Sequence, residues 1–171
     1  MVKTWFKQDK TNYNGFVQAL LDADVEIMNE YMNQFASSMF SSFDTGKKPS
    51  ERTAPERFYH GFVLGLLVDL EGKYEVTSNR ESGFGRYDVM LKPLNQKDDA
   101  ITNTGIKNDA IIIEFKIFNP KKESSLEETV QAALDQIEEK NYEQELINQG
   151  IGKERIRKYG FAFEGKKVLI G

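Results

Sequence analysis

The segment "AIIIEFKIF", residues 110–118, has the clearest structural signature in the sequence. Its β-branched and aromatic residues predict a buried strand. Side chains alternate across a strand, so Glu114 and Lys116 share one face while Ile113 and Phe115 share the other. Two opposite charges on one face of a buried strand have two explanations. They form a salt bridge at a strand end or on an exposed edge strand, or they belong to a functional site that needs a carboxylate from a neighbouring strand.

The nearest candidate for that carboxylate is Asp88, in "ESGFGRYDVML", residues 81–91. This segment predicts a turn that runs into a strand, with Asp88 at the entrance of the strand. Together with "KYEVTSNRE", residues 73–81, it predicts a β-hairpin. If the second hairpin strand pairs with residues 110–118, the carboxylates of Asp88 and Glu114 converge on a divalent cation with the lysine beside them.

Such a site suits the hydrolysis of phosphodiester bonds. The carboxylates of Asp88 and Glu114 and the carbonyl of Phe115 are hard oxygen ligands of the kind that Mg²⁺ prefers. The cation polarises phosphoryl oxygens and lowers the pKa of a bound water. A nearby ammonium such as that of Lys116 positions the water or stabilises the anionic transition state.

The composition limits the possible classes of protein. A chain of 171 residues that is 39% hydrophobic and 29% charged predicts one soluble domain, or one domain with a helical extension. The absence of cysteine excludes disulfides and thiolate sites, and the single histidine, His60, excludes a multi-histidine metal site. The longest apolar runs fall below membrane-spanning length and no signal-peptide core is evident, so we expect no membrane partner and a cytoplasmic location.

The charge does not by itself indicate a nucleic-acid-binding protein. The net charge is −4, whereas nucleic-acid binders usually have a basic excess because neutralised phosphates supply much of their affinity. The stretch "KERIRK", residues 153–158, is locally basic. It is interpreted either as a solvated face or as a patch that contacts phosphates.

The N-terminal part of the chain predicts helices. Residues 13–43 have apolar positions three to four residues apart, which predicts one or two amphipathic helices. Residues 44–55 are polar and predict a loop. A further, largely buried helix is expected to begin near Pro55 and to end around residues 71–73.

The C-terminal part alternates strands and a helix. Residues 94–109 predict a loop before the strand at 110–118, and Ser125 with Glu128 forms the pattern of a capping box. The helix that follows is expected to end near Tyr142, and the last thirteen residues predict two short strands. A hairpin, a strand, a helical crossover and another strand predict a mixed sheet with helices packed on it.

Five stretches, in order along the chain, carry a resemblance to a known family: "ERFYHGFVLGLL", "SNRESGFGRYDVML", "IIIEFK", "AALDQIEEKNY" and "YGFAFEGKKV". With them, residues 56–171 resemble the PD-(D/E)XK nuclease superfamily. The closer resemblance is to the nuclease-like domain at the C-terminus of bacterial proteins that begin with an AAA-ATPase-like module. The resemblance implies an α/β (α+β) fold with a restriction-endonuclease-like core, in which a central mixed β-sheet is flanked by helices.

The resemblance also implies roles for individual residues. Asp88 and Glu114 would bind the metal, Mg²⁺ or Mn²⁺, with the carbonyl of the next residue as third ligand, and Lys116 would be the catalytic lysine. The superfamily often adds an acidic residue from the helix before the first strand, for which Glu56 is best placed. It often adds a polar residue from the helix after the third strand, for which Gln136 fits. The superfamily's proline before the motif aspartate is replaced by tyrosine.

Four more residues are candidates for supporting roles or substrate contacts. Glu81 supports the metal ligands, binds the metal itself, or stabilises its turn. Arg86 contacts a phosphate or forms a salt bridge with the motif aspartate. His60 lies four residues after Glu56 on the same helix face, so it reaches the site or is a core or boundary residue. Tyr142 contacts nucleic acid or lies at a solvated helix end.

These observations predict a metal-dependent nuclease that acts on DNA. The alternative is a non-catalytic binding or regulatory module with the same fold, attached to an AAA-ATPase-like protein. Under either hypothesis, residues 1–55 would be a helical N-terminal extension, the tail of a preceding region. A third possibility is that they form a surface for protein contacts. Because the sequence has no phosphate-binding Gly-x-x-x-x-Gly-Lys-Ser/Thr motif, we expect a fragment of a larger protein or a stand-alone descendant.

Overall fold

The computed structural model describes residues 10–43, 54–78, 81–82, 85–86, 88–94 and 108–171. Its helices are α1 (Lys10–Asp22), α2 (Val25–Phe43), α3 (Ala54–Leu67), α4 (Leu126–Glu139) and α5 (Glu143–Asn148). Its strands are β1 (Tyr74–Ser78), β2 (Glu81–Ser82), β3 (Gly85–Arg86), β4 (Val89–Pro93), β5 (Ala110–Ile117), β6 (Ile156–Glu164) and β7 (Lys167–Ile170). Most of the loop predicted over residues 94–109 lies outside the described residues. Among the described helices, none has the length and apolar character needed to cross a membrane.

Five strands form one mixed sheet in the order β1-β4-β5-β6-β7. Strands β5 and β6 are parallel, and the other neighbours are antiparallel. Strands β2 and β3 form a separate short ladder within the hairpin. The prediction of a mixed α+β sheet flanked by helices is confirmed, and the arrangement is consistent with the expected restriction-endonuclease-like core.

Strand β5 lies at the centre of the sheet and is buried on both faces, as its composition predicts. Ile111, Ile113 and Phe115 face α1, α2 and α3 in the larger of two hydrophobic clusters. Ile112 faces the opposite side, where Ile137 belongs to the smaller cluster under α4 and α5. The sheet is therefore sandwiched between two helical layers, and each layer buries alternate residues of the same strand.

Helix α4 ends three residues earlier than expected. Asn141 has φ 51°, a left-handed conformation that asparagine tolerates better than most residues. The amide of Tyr142 donates to the carbonyl of Ile137 at 3.3 Å, and that of Asn141 donates to Glu138. This pattern of a helix C-terminus stops α4 and directs the chain into α5, a helix that the apolar spacing did not predict.

Helix α2 packs directly on the edge strand β7. The Asn29 side-chain amide donates to the carbonyl of Ile170 at 2.9 Å and accepts from its N–H at 2.8 Å. Asn33 makes the same pair of bonds with Val168, at 2.7 and 3.0 Å. Four helical residues rise by about 6 Å and two strand residues by about 6.8 Å. The two spacings match, so two asparagines on α2 provide hydrogen-bond partners for the outward-facing N–H and C=O groups of β7.

A second link joins helix α1 to strand β6. The guanidinium of Arg157 donates to the carbonyls of Leu20 and Leu21, at 3.1 and 2.8 Å. It also donates to the carboxylate of Asp109 at 3.0 Å. A cation at the last carbonyls of a helix satisfies groups that lack an intrahelical partner and opposes the helix dipole. Because α1 and α2 share a core with the sheet, residues 10–43 are part of the same folded body as β5.

We expect replacement of Asn29 or Asn33 by alanine to lower the free energy of unfolding by about 1–3 kcal/mol each, because a strand N–H and C=O lose their partners. Urea denaturation measures the change. The exposed Gln34 on the same helix is the matched control, and Gln34→Ala is expected to stay within about 0.5 kcal/mol of the wild type. Equal stability of all three variants would contradict the role given to the asparagines.

Candidate active site

The start of β4 brings Asp88 next to the charged part of β5. In the antiparallel ladder Val89 pairs with Ile113, so the preceding residue, Asp88, lies level with Glu114. The Asp88 carboxylate accepts the N–H of Phe115 at 2.8 Å through Oδ2. The backbone ladder between β4 and β5 ends at Val89 and Ile113. Beyond it, the Asp88 side chain accepts the Phe115 N–H and is thereby held against β5.

A single amide lies between the two charges of β5. The Gln136 Nε2 group donates to Glu114 Oε1, and its Oε1 accepts from the Lys116 ammonium at 2.7 Å. No ion pair joins Glu114 directly to Lys116 in the described part of the chain, so the salt bridge considered from the sequence is not formed. Lysine only donates, so the amide oxygen faces Lys116 and the NH₂ group faces Glu114.

Close packing of α4 on the sheet allows Gln136 to reach these charges. Gly160 of β6 is the residue paired with Glu114. A Cβ atom at Gly160 would lie 2.6 Å from the Val130 carbonyl oxygen and 3.0 Å from the Ala133 Cβ, closer than van der Waals contact allows. Gln136 follows Ala133 by about one turn, so the glycine lets this part of the helix approach the sheet.

Glu114 is a buried carboxyl group with an unsatisfied oxygen. Only 4% of the residue is exposed, and its Oε2 has no hydrogen-bond partner. Burial, together with the smaller effect of the neighbouring charge of Asp88, raises the pKa of Glu114 to about 8 against the opposing effects of Lys116 and Gln136. A buried polar atom without a partner lowers the stability of the folded state. The carboxylates of Glu114 and Asp88 are hard oxygen donors. These residues fit a divalent cation.

Tyr142 lies in this cluster and not at a solvated helix end. It is 1% exposed and packs with Ile137 in the cluster beneath α4. Gln136 hydrogen-bonds its hydroxyl group, while burial raises the pKa of Tyr142 and the charges of Glu114 and Asp88 add to that effect. The solvated alternative from the sequence is therefore wrong, because the left-handed turn after α4 directs the ring inward.

His60 contacts the other face of the sheet. Its Nε2 lies 2.8 Å from the Ser78 hydroxyl, and its ring is 5.2 Å from the ring of Phe115. The Phe115 ring faces the N-terminal helices, whereas Glu114 faces α4 through Gln136. The contacts of His60 thus support the strand that bears the site from behind.

The remaining sequence candidates have side chains outside the described residues. Glu56 lies in α3, and Glu81 pairs with Arg86 in the ladder of β2 and β3. The tyrosine that replaces the superfamily's proline also lies outside the described part. Among the described residues, no group of three or more His, Asp or Glu side chains is placed to hold a metal.

The basic stretch at residues 153–158 is occupied by internal ion pairs. Lys158 contacts both Glu138 and Glu143, and Lys153 contacts Glu143 at 2.9 Å. Arg155 and Arg157 are within 3.8 and 3.0 Å of Asp109. The stretch covers the turn before β6 and the first three residues of β6, whereas Glu114 and Lys116 lie towards the end of the parallel neighbour β5. Its basic side chains are thus engaged in ion pairs with acidic residues of the same chain.

Comparison with known proteins gives one match. Residues 54–171 match the family model described as the PD-(D/E)XK nuclease superfamily, which is more than half of the chain. Neither the curated proteins nor the solved structures gave a match to this chain.

We expect Gly160→Ala to destabilise the protein by about 1–3 kcal/mol, because the added methyl group overlaps the α4 backbone. Gly61 is a control from the exposed side of α3, where an added Cβ meets nothing within 4 Å. Gly61→Ala is expected to be neutral or stabilising, since alanine favours helix more than glycine does. Thermal denaturation of both variants measures the difference, and a neutral Gly160→Ala would contradict the close approach.

We expect the metal-free protein to lose stability as pH rises from about 4.5 to about 8. Below the ordinary pKa of 4.5, Glu114 is protonated in both states. Above it the unfolded state loses the proton first, which favours unfolding by up to about 1.4 kcal/mol per pH unit. Urea denaturation in EDTA measures the trend. Glu114→Gln should flatten it and the exposed Glu138→Gln should not; equal slopes in both variants would refute the assignment.

Proposed function

The chain belongs to the PD-(D/E)XK nuclease superfamily, and from this membership we propose that it is a metal-dependent nuclease that hydrolyses phosphodiester bonds in DNA. The observation that carries the proposal is the buried, unpartnered Oε2 of Glu114 beside Asp88, with the Lys116 ammonium held one amide away.

We assign the cofactor site to three groups. Glu114 and Asp88 supply carboxylates, and Phe115 supplies its main-chain carbonyl. The Phe115 N–H points to Asp88, and the N–H and C=O of one strand residue face the same side of the strand. Its carbonyl therefore faces the side on which Asp88 lies. An all-oxygen set suits Mg²⁺ or Mn²⁺.

The cation, when bound, supplies Lewis acidity towards a phosphoryl oxygen and lowers the pKa of a water. The chain's own residues orient the substrate around it. Lys116 has three N–H donors, of which Gln136 takes one, so further donors are available for a phosphate oxygen or the attacking water. Gln136 keeps the ammonium beside Glu114 and prevents the collapse of the two charges into a direct pair.

Other parts of the proposal rest on the resemblance. Glu56 would add a third carboxylate, Glu81 or Arg86 would support the site or contact substrate, and His60 would support the site from the opposite face of the sheet. The resemblance also supports a division of the chain into residues 1–55 and 56–171. It further supports an attached AAA-ATPase-like module, a bacterial source and a cytoplasmic location.

Cleavage of plasmid and single-stranded DNA with Mg²⁺ or Mn²⁺ tests the proposal. We expect Asp88→Asn and Lys116→Ala each to lower the rate by on the order of a hundredfold or more, because each removes a charge that acts at the phosphate. Asp69→Asn and Lys73→Ala change exposed residues of the same types and should leave the rate unchanged. EDTA should abolish cleavage.

Equal cleavage by the site variants and the wild type would assign the activity to a contaminant. A folded wild-type protein that binds Mg²⁺ by calorimetry but cuts nothing would favour the non-catalytic module. A folded protein that binds neither Mg²⁺ nor DNA would refute the nuclease function.

A further inference from the structure

Exposed lysines lie at the end of the sheet that carries the candidate site. Strands β5 and β6 are parallel, so both of them finish at this end. Phe118, the first residue after β5, donates its N–H to the Phe163 carbonyl of β6 at 2.9 Å. The turn from β5 to α4 and the turn from β6 to β7 therefore leave the sheet side by side, just beyond Lys116. We call three exposed lysines of these turns the lysine rim: Lys121, Lys122 and Lys167.

The turn after β5 holds two of these lysines in a defined position. The Asn119 carbonyl accepts from the backbone amides of Lys122 and Glu123, both at 2.9 Å. The Asn119 side-chain oxygen accepts from the backbone amide of Lys121 at 3.1 Å. The backbone of both lysines is therefore bonded within the turn, while their side chains are exposed.

Two acidic residues of the same turn are bonded to other groups. The Glu123 Oε2 atom accepts from the Asn119 amide at 2.9 Å and from the Thr129 hydroxyl at 2.7 Å. The Glu128 carboxylate accepts the amide and the hydroxyl of Ser124, both at 2.7 Å. In the described part of the chain, no ion pair engages a lysine of the rim. Their ammonium groups are therefore available to an external anion.

Lys167 lies on the same face of the sheet as the candidate site. Its neighbour Val168 packs in the cluster under the N-terminal helices, as Phe115 does. Successive side chains alternate between the faces, so Lys167 and Lys116 both face the side of α4. Strands β5 and β7 are two positions apart, about 10 Å at the usual strand spacing. About three nucleotides of a DNA strand cover this distance along the helix axis.

The opposite end of the sheet offers its basic groups to the fold itself. Lys153, Arg155, Arg157 and Lys158 are all engaged by acidic residues of the chain. A protein with a net charge of −4 binds a polyanion through a local group of basic residues that lack such partners. The lysine rim meets this condition beside the proposed catalytic lysine.

We propose that the lysine rim binds the phosphate groups of the DNA substrate and places its backbone beside Lys116. The inference rests on the proposed function for the identity of the polyanion. Because the contacts are made to phosphates, they supply affinity without a sequence preference.

Fluorescence anisotropy of a labelled DNA duplex, measured in EDTA to prevent cleavage, is the first test. Lys121→Ala, Lys122→Ala and Lys167→Ala should each weaken binding about threefold to tenfold. Each should also lower the slope of log K against log salt concentration by about one, because one phosphate contact is lost.

The matched control is Lys73→Ala. Lys73 is an exposed lysine just before β1, and the ladders of β1 with β4 and of β4 with β5 place it at the opposite end of the sheet. This variant should change neither the affinity nor the slope. Equal losses in all four variants would reflect net charge alone and would overturn the proposal. Wild-type binding by the three rim variants, or a wild type that binds no DNA, would also overturn it.

The second test is kinetic, in Mg²⁺. Each rim variant should raise KM for DNA about threefold to tenfold with kcat unchanged, whereas Lys116→Ala lowers kcat. A wild type that binds DNA through the lysine rim but cuts nothing would refute the proposed function and leave the rim in place. Rim variants that bind and cut DNA as the wild type does would refute the rim and leave the proposed function in place.

Discussion

The contact between helix α4 and the backbone at Gly160 is the constraint on which the candidate site depends. The missing side chain allows Val130 and Ala133 to approach β6, and this brings Gln136 within hydrogen-bond distance of Lys116 on β5. An amide is neutral, yet it offers a donor to the carboxylate and an acceptor to the ammonium. The carboxyl group of Glu114 and the ammonium of Lys116 are therefore kept apart, and each has a defined partner in the amide.

The sequence was sufficient for the parts of the fold that repeat a simple period. The apolar run at residues 110–118, the hairpin before it and the capped helix after it all form as expected, because strand alternation and capping are local properties. Asp88 lies level with Glu114 because of the register between β4 and β5. Of the predicted site residues, Asp88, Glu114, Lys116, Gln136 and Tyr142 come together where β4, β5 and α4 meet. The side chain of Glu56 lies outside the described residues.

Features that depend on distant segments could not be read from the sequence. Glycine within a strand signals a close backbone approach, yet only the fold reveals that the approaching element is α4. The left-handed conformation of Asn141, which buries Tyr142, results from a helix end that apolar spacing placed later. The basic stretch at residues 153–158 suggested a surface patch, but its acidic partners come from residues that precede it by 10 to 48 positions along the chain.

The asparagine contacts on β7 have a consequence for association between molecules. An edge strand with free N–H and C=O groups can recruit a strand from another chain, which is a common route to aggregation. The amides of Asn29 and Asn33 occupy the outward-facing groups of Val168 and Ile170. The two side chains that attach α2 to β7 therefore also prevent the sheet from growing at this edge. A chain without them would expose a strand edge that can pair with another molecule, and its fold would be less stable.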